Sequence, residues 1–155
     1  MHAEPRKEIF VKRSWPKVTA LLLVAVMLSG CIGTAKDEKK IHRVLSQFEA
    51  AMLAMDARKL ADLCSYPLNV DGGEIPTKEE AAELFDWLFF EVVEEYHEFS
   101  INQRDITVGV NEATAAATVS FDFTLIDDEK VTCDEPAFFR FLKVGGSWKI
   151  AAISM

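Results

Sequence analysis

The chain has 155 residues, 50% hydrophobic and 27% charged, which bounds it to one globular domain plus an appendage. Of the formal charge of -8, residues 1–30 carry a net +3 (Arg6, Lys7, Lys12, Arg13 and Lys17 against Glu4 and Glu8), so the remainder carries -11. A domain that acidic repels phosphate backbones and anionic headgroups, which excludes nucleic acid as a partner and disfavours lipid-surface binding by the folded part.

The basic stretch ends at Trp15, Pro16 and Lys17, and an eleven-residue apolar run, Val18–Leu28, follows it. A basic region, a short apolar run and small residues before a cut site are the parts of a secretory signal. As a helix the run spans about 16 Å, too short for a bilayer core. Counting generously to Ala35 reaches the lower edge of a spanning helix, but Ser29 and Gly30 interrupt it and Cys31 stands where it ends. Leu28-Ser29-Gly30-Cys31 resembles the bacterial lipobox. That resemblance implies cleavage before Cys31 and acylation of the cysteine, commonly with palmitate, so residues 1–30 are expected to be a lipoprotein signal peptide. Residue 32 is Ile rather than Asp, so the inner-membrane retention signal of that family is absent. The expected location is a membrane-anchored lipoprotein, exported to the periplasmic face of a membrane or to the cell surface. Residues 31–40 read as the lipidated cysteine and a polar tether of about 30 Å at most.

From residue 41 a helical period begins, with Ile41, Val44, Leu45, Phe48, Ala51, Met52 and Met55 on one stripe. Asp56 suits the cap of a short second helix, Ala57 to Cys64, closed by Pro67. Leu68 to Ile75 reads as a small hairpin around Asp71, Gly72 and Gly73. Thr77-Lys78-Glu79-Glu80 is a capping box, and the helix it opens is predicted to run to about Phe99. The period then changes to two. Ile106–Val110 is a predicted strand, Asn111 and Glu112 turn the chain, and the odd positions from Ala113 to Leu125 are apolar while the even ones are mostly polar. Val131–Cys133 and Ala137–Val144 form the next strand, bent near Pro136, and Ser147–Ile153 the last, after Gly145 and Gly146. Helices first and a strand meander afterwards imply an α+β domain over residues 41–155, with the N-terminal helices packed on one face of a curved, mostly antiparallel sheet.

Three stretches in this order resemble the nuclear-transport-factor-two-like superfamily, the cystatin-like cone that includes ketosteroid isomerase and SnoaL-type cyclases. Val44 to Asp56 resembles its first helix, Asn111 to Phe123 its central strand, and Phe138 to Ile150, with Gly146, Trp148 and Ile150, its closing hairpin. The resemblance implies a cone-shaped cavity between sheet and helices, lined by Phe48, Ala115, Ala117, Phe121 and Phe139. The small face of Ala113, Ala115 and Ala117 either admits a closely packed helix or leaves room for a ligand.

The isomerase chemistry of that superfamily requires a carboxylate base with a Tyr and a protonated Asp as oxyanion donors. The resemblance puts Phe48 and Ala137 at the two donor positions, and neither side chain donates a hydrogen bond. Asp71 falls near the base position but suits a turn better. Weaker catalytic candidates are Glu135, which has inward parity, Tyr66 at the mouth, and His97. On a helix continued to Phe99, His97 falls beside Asp86 and Phe90 on the solvated side. Glu91, Glu94, Glu95 and Glu98 would share one face of that helix, where a solvated face is a commoner meaning than a cation site. No metal or other cofactor is implied. Cys64 and Cys133 either pair in the oxidising compartment or remain thiols. Trp87 and Phe90 lie among acidic positions and mark either an interface, of which a homodimer is the simplest form, or packing beneath a loop. The leading expectation is a non-catalytic envelope lipoprotein binding a small apolar ligand or a protein partner. The alternatives are an enzyme using Glu135 with Tyr66 or His97, and a structural dimerisation module.

Overall fold

The computed structural model describes residues 35–155, so the leader and Cys31 lie outside the described residues. Among the described residues no helix is long and apolar enough to cross a membrane. The first helix, α1, spans Ala35–Leu53 and buries Ile41, Val44, Leu45, Phe48, Ala51 and Met52, the stripe expected from their spacing. It starts earlier than expected, at Ala35, within the stretch read from sequence as a tether. This first turn carries no apolar stripe, and Asp37 ties it to the sheet: its carboxylate accepts a hydrogen bond from the Trp148 indole at 3.2 Å and lies 3.7 Å from Lys143.

Helix α2, Ala57–Asp62, is capped by Asp56, whose carboxylate accepts from the Lys59 amide at 3.0 Å. It stops before Cys64, which instead opens strand β1 (Cys64–Val70), paired in parallel with β6 (Ser147–Ser154). Pro67 lies inside β1, after a cis Tyr66–Pro67 bond, rather than ending the helix. Strand β2 (Gly73–Ile75) closes the expected hairpin, with Leu68 facing Ile75 across the ladder. Asp71 and Gly72 make the turn with φ of 48° and 85°, the left-handed region where Asp and Gly are tolerated.

Thr77 caps α3 (Lys78–Trp87), its hydroxyl accepting from the Glu80 amide at 3.2 Å. The helix ends there, however, loosening into a π-helical turn at Leu88–Val92, and Val93–Val108 is the long strand β3. The expected helix to Phe99 is therefore a strand from Val93 onward. Its ladder with β4 (Glu112–Leu125) slips between Val93 and Glu95, between Tyr96 and Glu98, and between Asn102 and Asp105. Each bulge inserts one residue, so inward positions fall at Val93, Tyr96 and Phe99, a step of three that imitates a helical period.

Strand β5 (Lys130–Val144) runs unbroken through Pro136. Pairing with β6 begins only at Phe138, so Pro136 has a neighbour on one side alone, where a missing amide is tolerated. The sheet order is β2-β1-β6-β5-β4-β3, antiparallel except for β1 with β6. The helices pack on its inner face around Phe139, Phe141, Ile150, Leu60 and Leu68, all at most 1% exposed. Each such side chain contributes about 1.5–3 kcal/mol by leaving water.

One polar clamp fastens α1 to β3. Arg104 donates to the carbonyls of Ile101 (2.8 Å) and His42 (3.2 Å), to the Ser46 hydroxyl and to the Glu49 carboxylate (2.8 Å). The same Glu49 oxygen accepts from the Ile101 amide at 2.6 Å.

Candidate functional site

The inner face of the sheet divides in two along its strands. At one end Ala113, Ala115 and Ala117 are buried beside Phe141, Phe139 and Ala137, their register partners on β5. Their small size is used for close packing: they share one sealed core with Leu45, Phe48 and Met52 of α1. At the other end the same face opens. Tyr96, Phe99, Phe121 and Phe123 are only half-buried, flanked by Phe89 and Phe85 from α3 and the π-helical turn.

These rings form a connected series. Phe48 meets Phe139 at 6.3 Å and Phe99 at 6.1 Å between centroids. Phe99 meets Tyr96 edge to face at 6.2 Å, and Tyr96 meets Phe89 at 6.1 Å and Phe123 at 5.5 Å. Phe123 stacks on Phe121 at 5.6 Å. Tyr96 is thus the hub of a ring-lined surface. No hydrogen bond to another described residue ties its hydroxyl, which is not sealed from solvent. Burial pushes its ionisation up to about 12, so at neutral pH it is a protonated donor.

Cys133 and Glu135 continue this face on β5, opposite Phe121 and Val119. Glu135 thus has the expected inward register, but its side chain is exposed at the rim and accepts from the Cys133 thiol at 3.0 Å. That bond to a carboxylate holds the thiol above its ordinary ionisation range, the reverse of an activated nucleophile.

The other sequence candidates are elsewhere. The Tyr66 hydroxyl donates to the Ala61 carbonyl at 2.7 Å, and burial raises its ionisation. Its strand, β1, is separated from β5 by β6. His97 sits at the bulge after Tyr96, exposed, with Nε2 2.8 Å from the Thr124 hydroxyl, on the outer side of β4. Neither Tyr66 nor His97 meets Glu135. The Asp71 carboxylate accepts from the Met155 amide at 2.8 Å, completing the turn residue role. The other histidine among the described residues, His42, lies on α1 3.9 Å from Glu38, away from the ring face. Phe48, Ala115, Ala117 and Phe139 belong to the sealed core, and Phe121 alone of the expected lining residues reaches the open part.

The acidic helix face does not exist, because Glu94, Glu95 and Glu98 are on β3, and no group of three or more His, Cys, Asp or Glu among the described residues is placed to hold a metal ion. Cys64 and Cys133 are free thiols on β1 and β5, not a bridge. Trp87 and Phe90 are 56% and 73% exposed, the surface alternative rather than packing beneath a loop, and Phe90 is in the π-helical turn. Tyr96, Phe99 and Phe123 were not legible as site residues, since two of them fall in the stretch that imitates a helix. The signal that marks them is the β-branched pair Val92-Val93 with aromatics following at a bulged spacing.

Neither a protein-family model nor a curated protein matches the chain. Solved structures do. A protein from Novosphingobium aromaticivorans, provisionally named an aromatic ring hydroxylase, superimposes with a TM-score of 0.70 at 17% identity, over 79% of this chain and 89% of that one. A hexachlorocyclohexane dehydrochlorinase (LinA, type 2) gives 0.68 at 12% identity, over 77% and 83%. A nuclear-transport-factor-2-like superfamily protein from Salmonella enterica serovar Typhimurium gives 0.65 at 14%, over 75% and 87%. Such distant likeness carries architecture alone, because this fold hosts catalysts and binding proteins alike. Helices on one face of a curved, mostly antiparallel six-stranded sheet, together with these neighbours, give the chain the nuclear-transport-factor-two-like, or cystatin-like, cone fold.

Proposed function

We propose that the protein is an exported lipoprotein, held on a membrane by acyl groups on Cys31, whose cone domain binds a small apolar ligand without transforming it. The address rests on the basic and apolar leader and on Leu28-Ser29-Gly30-Cys31. The binding reading rests on one observation: an open, ring-lined face whose central phenol, Tyr96, has a free donor. An apolar molecule with one hydrogen-bond acceptor suits that surface, since rings supply area and a single polar group fixes orientation. Non-catalysis rests on the chemistry of Glu135, Tyr66, His97 and Asp71, each fixed in a separate local contact.

The test is native mass spectrometry of the chain from Ile32 onward after incubation with an envelope lipid extract. A reproducible added mass that leaves on denaturation is expected, and Tyr96→Phe should weaken its binding five- to tenfold, about 1 kcal/mol for one hydrogen bond. A ligand-free spectrum sinks the binding reading, and a ligand released chemically altered moves it to the enzyme class. For the address, labelled palmitate should enter the full chain in a bacterial host and be lost in Cys31→Ser.

A further inference from the structure

The net charge of the domain conceals a strong polarity along its long axis. Strand β4 runs about 40 Å from Ala113 to Leu125 at 3.3 Å per residue. Toward its far end stand Asp122, Asp127, Asp128 and Glu129, with Glu94, Glu95 and Glu98 opposite on β3, while Asp134 and Glu135 on β5 face Ser120 and Val119 midway along it. At its near end are two hairpin tips. Val110 is 47% exposed in the β3–β4 turn and Val144, the last residue of β5, is 51% exposed beside the β5–β6 turn. The two tips adjoin, because the Lys143 amide donates to the Asn111 carbonyl at 2.9 Å.

The start of α1 belongs to this near end, since Asp37 sits between Lys143 and Trp148 of the β5–β6 hairpin. Around it are Lys36, Lys39 and Arg43, all exposed, and Lys40 and Lys143. Of the nearby acids, Asp37 lies among two of these lysines, Glu112 is engaged by Arg140, and Glu38 is exposed beside His42, so Lys36, Lys39, Lys40, Arg43, Lys143 and Arg140 outnumber them. The near end is therefore a basic surface with two protruding apolar tips.

Only Ile32, Gly33 and Thr34 separate Cys31 from α1. Four residue steps reach about 14 Å at most, so a lipid on Cys31 holds this end, and no other, at the bilayer surface. With a screening length of about 8 Å, acids roughly 20–40 Å away are largely screened from the headgroups that the near end meets. We propose that the α1 start and the Val110 and Val144 tips form a docking surface for an anionic phospholipid bilayer, which orients the ring-lined face and the acidic rim away from the membrane. The surface rests on the lipid-anchor reading for its placement; its basic and apolar character is independent of it. The average charge of the chain, which disfavours contact with headgroups, is the wrong quantity at this end.

The test uses the full chain processed in a bacterial host and reconstituted in phosphatidylglycerol or phosphatidylcholine vesicles, with acylation first read by mass. Spin labels are placed at Val144→Cys or Ile126→Cys in a Cys133→Ser background. On phosphatidylglycerol the label at 144 is expected at headgroup depth and the label at 126 in water. The Lys36→Gln/Lys39→Gln variant should shift the seated-to-detached ratio about fivefold per lysine removed, and high salt should release the label at 144 without changing the acyl mass. An acylated chain with both labels equally in water on phosphatidylglycerol overturns the docking surface and leaves the anchor standing. A chain that is neither acylated nor bound to phosphatidylglycerol vesicles overturns both; one that is unacylated yet seats the label at 144 overturns the anchor alone.

Discussion

Cys64 and Cys133 show how two identical side chains acquire different chemistry from their surroundings. Cys64 is buried, donates to the Leu60 carbonyl at 3.4 Å, and has its ionisation pushed up to about 12 by burial. Cys133 is reachable but shares its proton with Glu135. Native-state alkylation at pH 8 should therefore modify Cys133 slowly and leave Cys64 intact until the chain unfolds, with peptide mass spectrometry assigning the site. Glu135→Gln removes the charge that disfavours the thiolate, so Cys133 should alkylate severalfold faster. Faster labelling of Cys64 than of Cys133 would refute this assignment. Neither environment was readable from spacing, because burial depends on which strand β6 separates from which.

At the scale of elements, short-range capping and long-range clamping carry different weights. Thr77→Ala deletes one cap of α3 and should cost about 1 kcal/mol in urea unfolding. Arg104→Met should cost more, about 2–3 kcal/mol, since it strands the half-buried Glu49 carboxylate and frees the α1 contact with β3. If the two variants lose equal stability, the clamp is not what holds α1 to the sheet. The caps at Asp56 and Thr77 were legible because each lies within three residues of its partner. The clamp was not, since Arg104 and Glu49 are 55 residues apart. The error at β3 has a similar origin: bulges at Glu94 and His97 convert a period of two into steps of three, and local periodicity alone does not separate that from a helix.

Across the whole molecule, alkaline pH exposes the buried acids together. Tyr96 and Cys64 both ionise near 12 in the folded protein against ordinary values of 10 and 9. As pH rises through 9 and then 10, the unfolded chain releases protons that the folded chain retains. Stability is accordingly full below pH 9 and falls progressively toward pH 12. Chemical denaturation across that range should show the decline, and Cys64→Ala should remove its earliest part; a flat profile would mean neither group is buried as described.

The alternation of residues 113–125, the α1 stripe and the two caps were determined by sequence alone, because each is a pattern that a single element imposes on its own residues. The proposed secretory leader and lipidated Cys31 are likewise readings of sequence, since such a signal is read from the chain before it folds. Only the tertiary structure decided that the alanine face is filled by α1, that Tyr96 faces inward and His97 outward, and that the basic and acidic residues gather at opposite ends. Each of these depends on register and on the helix docking angle. A one-residue bulge reverses which side chains face the core, and no local pattern records where the bulge will fall.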